Sequence, residues 1–477
     1  MKKHVAEQTV IFFSVTKWVI LSSVMGVIIG ALLAGFLWIL EYSIDHRADM
    51  PFPYYFILPL ALPITIFVIK TFAPNAQGHG TEKVIEAVHK KDGKIQVAVM
   101  PIKLLATVFT IFSGGSVGKE GPGAQIGAGA ASMVASLLKF SKEDRKKLVI
   151  CGISAGFASV FGTPIAGAIF GIEVLIIGVI MYDVLLPSFI AGFAAFTTAQ
   201  LLGVDYTYFD IHFYKAMDLD LVLIAEVIIA GIFFGFVSDF MITVLTEVEH
   251  LIKKIKYNTY LKAFVAGLIL VVMTLLVGDK FLGLGLDVIE NALDPEGFLS
   301  EDISWYDFML KTLFTSISLG AGGSGGIVTP IFYVGATSGV TFGHLIHNEV
   351  ALFAALGFVS VLAGTTNAPI AAIIMAVELF GIEIAHYAAL SAVISFLVTG
   401  HRSVFPSQKI AMSKSGNIVL DDGDDIEHTN ISIHMEDVEK LKKIRSQLKY
   451  KTLKWQAKNF HTKKDKKEIK KSSIDLW

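Results

Sequence analysis

The chain has 477 residues, 53% of them hydrophobic and only 17% charged, with a formal net charge of −2 and a mean hydropathy of +0.63. Soluble domains carry about 25% charged residues, so this composition excludes a soluble globular enzyme. Long uncharged runs point instead to an all-α polytopic membrane protein with the lipid bilayer as its first partner.

In chain order, residues 1–9 read as a short cytoplasmic N-terminus, and an apolar run from Val19 to Leu40 follows. No small-residue cleavage pattern ends that run, so it reads as a retained first helix. A first membrane half spans residues 10–205. It contains "GHGTE" with Gly78, His79 and Gly80, then "GKEGP" with Gly118, Lys119, Glu120, Gly121 and Pro122, then Pro164 leading to Glu173. A linker occupies 206–215, and a second membrane half spans 216–405. The remainder, 406–477, is a charged tail whose lysine clusters between Glu436 and Lys471 suggest a cytoplasmic location beside anionic lipid. That surface accounts for the basic tail without nucleic acid. A single cysteine, Cys151, cannot form a disulfide within the chain.

The two halves repeat. Val84 recurs as Val288, Gly118 as Gly326 and Pro164 as Pro369, at offsets of 204, 208 and 205 residues, each within a matching local motif. Three matches in one order at nearly one offset mark two homologous halves. Loop charge then gives their orientation. "VHKKDGK" and "SKEDRKK" follow motifs of the first half, whereas the corresponding "NALDPEGFLSEDISWYD" and "HLIHNEV" carry no Lys or Arg. Positive loops stay on the cytoplasmic side, so equivalent loops face opposite sides. The repeat is inverted, an architecture of transporters whose sites lie where discontinuous helices meet. Pro101, Pro122, Pro164, Pro330 and Pro369 break or open apolar stretches, which predicts many short, tilted and broken helices.

Each Gly-x-x-x-Pro segment opens an apolar helix with proline in its first turn. Such starts present free amides and about half a positive charge, and they attract anions. Those near Gly78–Gly80, Gly118–Pro122 and Gly326–Pro330 are expected to converge on one anion site, binding loosely enough for release. Glu120 would compete for that site. Displacement by an anion, or protonation, would free it, which makes it a gate. The plainer reading is a helix-capping carboxylate with Lys119 as a solvated neighbour. An intramembrane protease is disfavoured, because no serine stands with His79 and no aspartate pair is evident. No metal or cofactor is expected.

These motifs resemble the CLC family of chloride channels and chloride/proton exchangers. "GKEGP" resembles its G-(K/R)-E-G-P signature, "GIVTP" its G-x-F-x-P motif and "GHGTE" its G-S-G-I-P motif, over about residues 10–420. The resemblance implies a CLC-type inverted repeat and a homodimer in a plasma or inner membrane, with cytoplasmic termini. It also implies one chloride pathway per subunit, gated by Glu120. Anion contacts would then come from Gly78, His79, Gly80, Gly118, Lys119, Gly121, Pro122, Gly326, Ile327, Val328, Thr329 and Phe405.

Departures from the family pattern bear on mechanism. His79 replaces the usual serine and brings a side chain that titrates near neutrality. Val328 replaces the usual aromatic, which softens the pathway, and Phe405 replaces a coordinating tyrosine. Val174 stands where exchangers carry a proton-transfer glutamate. A valine cannot carry a proton, so the pathway reads as channel-like or weakly proton-coupled; the alternative is a chloride/proton antiporter with a non-standard inner proton route. Glu173 and its repeat mate Glu378 read as structural intramembrane carboxylates that need hydrogen-bond partners. The retained "GKEGP" favours the chloride branches over a fluoride-selective one. The tail is too short for a pair of CBS domains.

Overall fold

The protein is described here by a computed structural model that covers residues 2–47, 49–206, 208–209, 220–294, 299–420, 425–429 and 431–433. Most of the linker 206–215 and the lysine-rich tail from 434 onward lie outside the described residues.

Among the described residues, the repeat seen in the sequence reappears as two runs of eight helices in the same order. The first run is α1 (Lys2–Asp45), α2 (Leu58–Phe72), α3 (Gly80–Lys90), α4 (Val99–Phe112), α5 (Glu120–Leu137), α6 (Lys142–Phe161), α7 (Pro164–Glu173) and α8 (Tyr182–Leu201). The second is α9 (Leu221–Lys254), α10 (Thr259–Val277), α11 (Leu286–Ala292), α12 (Asp307–Gly320), α13 (Val328–Ile346), α14 (Val350–Thr366), α15 (Pro369–Phe380) and α16 (Ala385–Val398). Four short strands are present among the described residues: β1 (Ile176–Ile177), β2 (Lys409–Ile410), β3 (Ile418–Leu420) and β4 (Ile431–Ile433).

Helix length sorts these elements. Among the described residues, five helices are long and apolar enough to cross a membrane, and five more are apolar but shorter. The 10 residues of α7 and 12 of α15 reach only about 15–18 Å at 1.5 Å per residue, roughly half of a 30 Å hydrocarbon core. They must end inside the membrane, packed against protein. Pro164 and Pro369 open these two helices, where a missing N–H is harmless. Gly162, with φ 74°, closes α6 in the left-handed region just before Pro164.

The layers follow the repeat. Helix α5 lies along α6, as α13 does along α14, and α7 meets α15 across the two halves. Each pair approaches closely through small residues: a Cβ on Gly127 would lie 2.4 Å from the Gly152 carbonyl oxygen, and one on Gly335 equally close to that of Gly357. Dispersion and close packing hold membrane helices together where lipid is as apolar as the side chains. A chain of aromatic rings, Phe157–Phe161–Phe332–Phe358–Phe380, links the halves; its Phe332–Phe358 pair is stacked at 3.9 Å.

Candidate anion pathway and its gate

The starts of α3, α5 and α13 meet at one point. Gly118 and Gly326 exchange backbone hydrogen bonds at 2.7 and 2.6 Å, pairing the two Gly-x-x-x-Pro segments antiparallel. His79 bridges to Gly325 beside them. The approach is possible only without side chains. A Cβ on Gly80 would lie 2.1 Å from the Gly121 carbonyl oxygen, and one on Gly121 would lie 2.9 Å from the Gly326 Cα. Three helix starts with free amides are thereby held together, the arrangement that attracts an anion.

Glu120 is the first residue of α5, and it is 2% exposed. Its carboxylate stays beside its own amide at the start of α5 and also reaches the other half. From the other half it accepts the Thr329 amide at 3.1 Å and the Thr329 hydroxyl at 2.5 Å. Thr329 lies in the first turn of α13. The charge lies at its own helix start, where the sequence places it, and also on the start of the repeat mate. The reason is visible in the alignment. Val328 occupies the position equivalent to Glu120, so the second half has no carboxylate of its own, and Thr329 supplies two donors instead. Lys119 is the α5 N-cap residue and makes no side-chain cap bond.

The other predicted residues surround this contact unevenly. His79 caps α3 without a side-chain bond, and its Nδ1 is buried with no partner among the described residues. Ile327 and Val328 are buried, as is Phe405, whose amide donates to Ser403 Oγ. Phe405 lies in the segment after α16, the stretch that returns across the ends of α3, α7 and α14. Gln408 Nε2 in that segment donates to the carbonyls of Val174 and Thr366, and β2 pairs in parallel with β1. Val174 is therefore a packed helix C-cap.

Glu173 and Glu378 form a reciprocal pair. Glu173 accepts the amides of Ile370 and Ala371 at the start of α15, at 3.1 and 2.8 Å. Glu378 accepts those of Ile165 and Ala166 at the start of α7, at 3.0 and 2.7 Å. Each carboxylate satisfies free N–H groups of the other half's broken helix, which answers the requirement that intramembrane carboxylates be bonded.

Sequence reasoning missed a second duplicated pair. Lys103 on α4 and Lys311 on α12 are fully buried. Lys103 donates to the Ala76 and Gly78 carbonyls, and Lys311 to those of Phe281 and Gly283. Each ammonium ties down the Gly-x-Gly loop of its own half. Carrying the 208-residue offset through every charged position would have found them. Also unread were Glu82 of α3, bonded to the Ser407 amide and hydroxyl, and the cluster of Lys90, Asp425 and His428. These side chains pin the segment after α16 to α3. Among the described residues no group of His, Cys, Asp and Glu could hold a metal ion.

Comparison with known proteins decides the family. Residues 60–400 match the family model described as voltage gated chloride channel. The "Chloride/fluoride channel protein" of Pseudomonas syringae pv. tomato is 34% identical, over 84% of this chain and 88% of that protein. The chain belongs to the CLC family. An "H(+)/Cl(-) exchange transporter ClcA" of Salmonella paratyphi B is 26% identical over 70% of this chain and 72% of its own length. Among solved structures, a "CLC-type fluoride/proton antiporter" superposes with a TM-score of 0.78 at 28% identity, covering 84% of this chain and 99% of that one. The protein is thus an integral membrane member of a family of anion channels and transporters, with the CLC inverted repeat. The relatives named for channel, for exchanger and for fluoride bracket its mode of action without choosing among them.

Proposed function

We propose that each subunit carries one pathway for chloride and similar small halides, gated by Glu120 and channel-like or only weakly coupled to protons. The observation that carries this reading is the Glu120 carboxylate bonded to the Thr329 amide and hydroxyl at converging helix starts. A halide seeks the same donors. When the side chain leaves, the anion gains what the carboxylate gives up, so exchange between the two has a low net energy. The amides and the hydroxyl act as partial charges, which hold an anion without trapping it. Val174, buried and aliphatic, argues against stoichiometric proton transfer at the usual inner position.

A second reading is a halide/proton antiporter that uses a different inner proton route. It is favoured by the 28% identity and full-length coverage of the fluoride/proton antiporter fold. The same likeness, with that of the Pseudomonas protein, brings fluoride in beside chloride as a substrate, although "GKEGP" favours the chloride branches over a fluoride-selective one. The homodimer and the cytoplasmic termini are proposals that rest on the family pattern and the lysine-rich loops. Halide efflux from proteoliposomes of purified protein, with wild type beside Glu120→Gln, tests the gate. Equal rates and equal pH profiles would refute it.

A further inference from the structure

Beside the anion pathway, α3 borders an open cleft of about 300 Å³. Lys83 and Lys91 line it from α3 and Lys94 from the loop that follows, with Asn75, Gln96 and Gln125 completing the polar lining. The walls are fixed. Gln125 of α5 is 2% exposed and donates from Nε2 to the Asn75 carbonyl, which ties the turn Pro74–Ala76 to α5. That bond orients the amide, so Oε1 is the atom left buried without a partner among the described residues. The loop after α3 is anchored too: Ser132 of α5 donates to the Gly93 carbonyl and accepts the Ile95 amide. Lys94 lies between those two anchors.

The lysines outnumber the acids that serve them. Lys83 and Lys91 share one carboxylate, Glu86, at 2.9 Å each. Asp92, the acid in the same loop, is taken by Lys142 and Lys146. Lys94 forms no ion pair among the described residues. The cleft therefore keeps a positive surplus. The bilayer reaches its rim. Helix α2 ends at Phe72, shortly before Asn75, and with the turn before it is long and apolar enough to cross a membrane. The apolar helix α4 starts at Val99, shortly after Gln96. Phe72 and Val97 are 60% and 50% exposed. The cleft thus sits at headgroup depth, cationic within and apolar at its edge, on the side that the lysine-rich loop marks as cytoplasmic.

We propose that this cleft binds the headgroup of an anionic phospholipid of the phosphatidylglycerol class. Basic pockets between membrane helices on the cytoplasmic side suit such headgroups. The phosphodiester takes the charge of Lys94 and shares that of Lys91, while Lys83 keeps Glu86. The glycerol hydroxyls bring donors to the side of the cleft where Gln125 lacks one. The acyl chains leave over Phe72 and Val97. A free phosphate would satisfy the lysines but gain nothing from that apolar rim, so the rim favours a lipid. Bound there, the headgroup joins α3, the turn Pro74–Ala76 and α5. Those elements carry Gly78–Gly80 and Glu120, so occupancy braces the scaffold that brings the helix starts together.

The test is thermal unfolding of the full chain in a neutral detergent at fixed chloride, titrated with dioctanoylphosphatidylglycerol. A ligand that binds only the folded protein raises the midpoint, here by roughly 2 °C or more at tenfold above its Kd. Dioctanoylphosphatidylcholine and inorganic phosphate at matched concentrations should give less than about a quarter of that rise. Lys94→Glu should abolish the rise, and Lys94→Arg, which keeps the cation, should preserve it. Lys91→Gln leaves Glu86 paired with Lys83 and should weaken the apparent affinity about fivefold or more, which decides the matter should Lys94→Glu fail to fold. The lysines between Glu436 and Lys471 are intact in every variant, so a rise owed to the tail survives these substitutions. The proposal is overturned if wild type shows no rise, or if Lys94→Glu or Lys91→Gln responds as wild type does. It is equally overturned if phosphate matches the lipid, which would make the cleft a site for soluble anions, or if phosphatidylcholine does, which would make the effect one of lipid in general.

Discussion

Replacing Glu120 by glutamine removes a charge while keeping nearly the same shape. The wild-type carboxylate holds two charge-assisted hydrogen bonds, from the Thr329 amide and hydroxyl. Bonds to charged groups contribute about 1.5–3 kcal/mol each, and neutral ones about 0.5–1.5. The substitution therefore weakens the closed position by about 2–3 kcal/mol, and losing the charge at the start of α13 removes roughly 0.3–1 more. At 1.4 kcal/mol per decade, the closed-to-open ratio falls by roughly 30-fold to several-hundred-fold. Efflux of chloride and fluoride from proteoliposomes, read across a pH series, should be faster in Glu120→Gln and independent of pH, because the variant mimics the protonated side chain. Thr329→Val removes only the hydroxyl and should give a smaller shift, about tenfold, with pH dependence retained. If Glu120→Gln leaves both rate and pH profile as in wild type, the carboxylate on Thr329 is a structural cap and the gate is elsewhere.

Other outcomes follow from neighbouring contacts. Glu173→Ala strands two backbone amides of α15 and should destabilise the protein by about 2–4 kcal/mol, read as thermal unfolding in detergent; a loss of flux at unchanged stability would instead give Glu173 a transport role. Phe405→Tyr restores a hydroxyl to a fully buried ring and should tighten halide binding by about two- to tenfold in calorimetry; unchanged affinity would place Phe405 off the pathway. The clasp of Lys90, Asp425 and His428 should be sensitive to pH. His428 is raised by its hydrogen bond to Asp425. For Asp425, burial pushes upward, but bonds from Lys90 and His428 outweigh it and hold the carboxyl low. The His428 contribution is complete below the ordinary imidazole value of about 6.5 and fades as pH rises through its raised value, while that of Asp425 is complete above about 3.9 and fades as pH falls through its depressed value. Hydrogen exchange at residues 425–429 should be slower near pH 6 than near pH 8, with rates normalised for intrinsic exchange. His428→Ala should abolish the difference; equal protection in wild type would contradict the clasp.

Much of this was legible in the sequence because the chain repeats. Proline and glycine at matching positions announced broken helices, and the three Gly-rich starts that were expected to meet do lie together around Gly118, Gly326 and His79. The reach of Glu120 to Thr329 was not legible. A residue at a helix start ordinarily bonds locally, and only the packing of α5 against the start of α13 brings Thr329 within reach. Glu173 and Glu378 were read as duplicated structural carboxylates in need of partners, but their reciprocal use of each other's helix starts is a tertiary fact. Lys103 and Lys311 were hidden for a different reason: their acceptors are backbone carbonyls, which no residue pattern displays. Glu82 and Ser407 lie 325 residues apart, beyond any local signal.

The most direct test of the account is simultaneous recording of halide and proton movement in proteoliposomes of the purified chain under an outward halide gradient. The account predicts rapid halide efflux, faster and independent of pH in Glu120→Gln, with proton movement far below one proton per halide. An absence of halide efflux, or uphill proton uptake at a fixed ratio to halide, would contradict it.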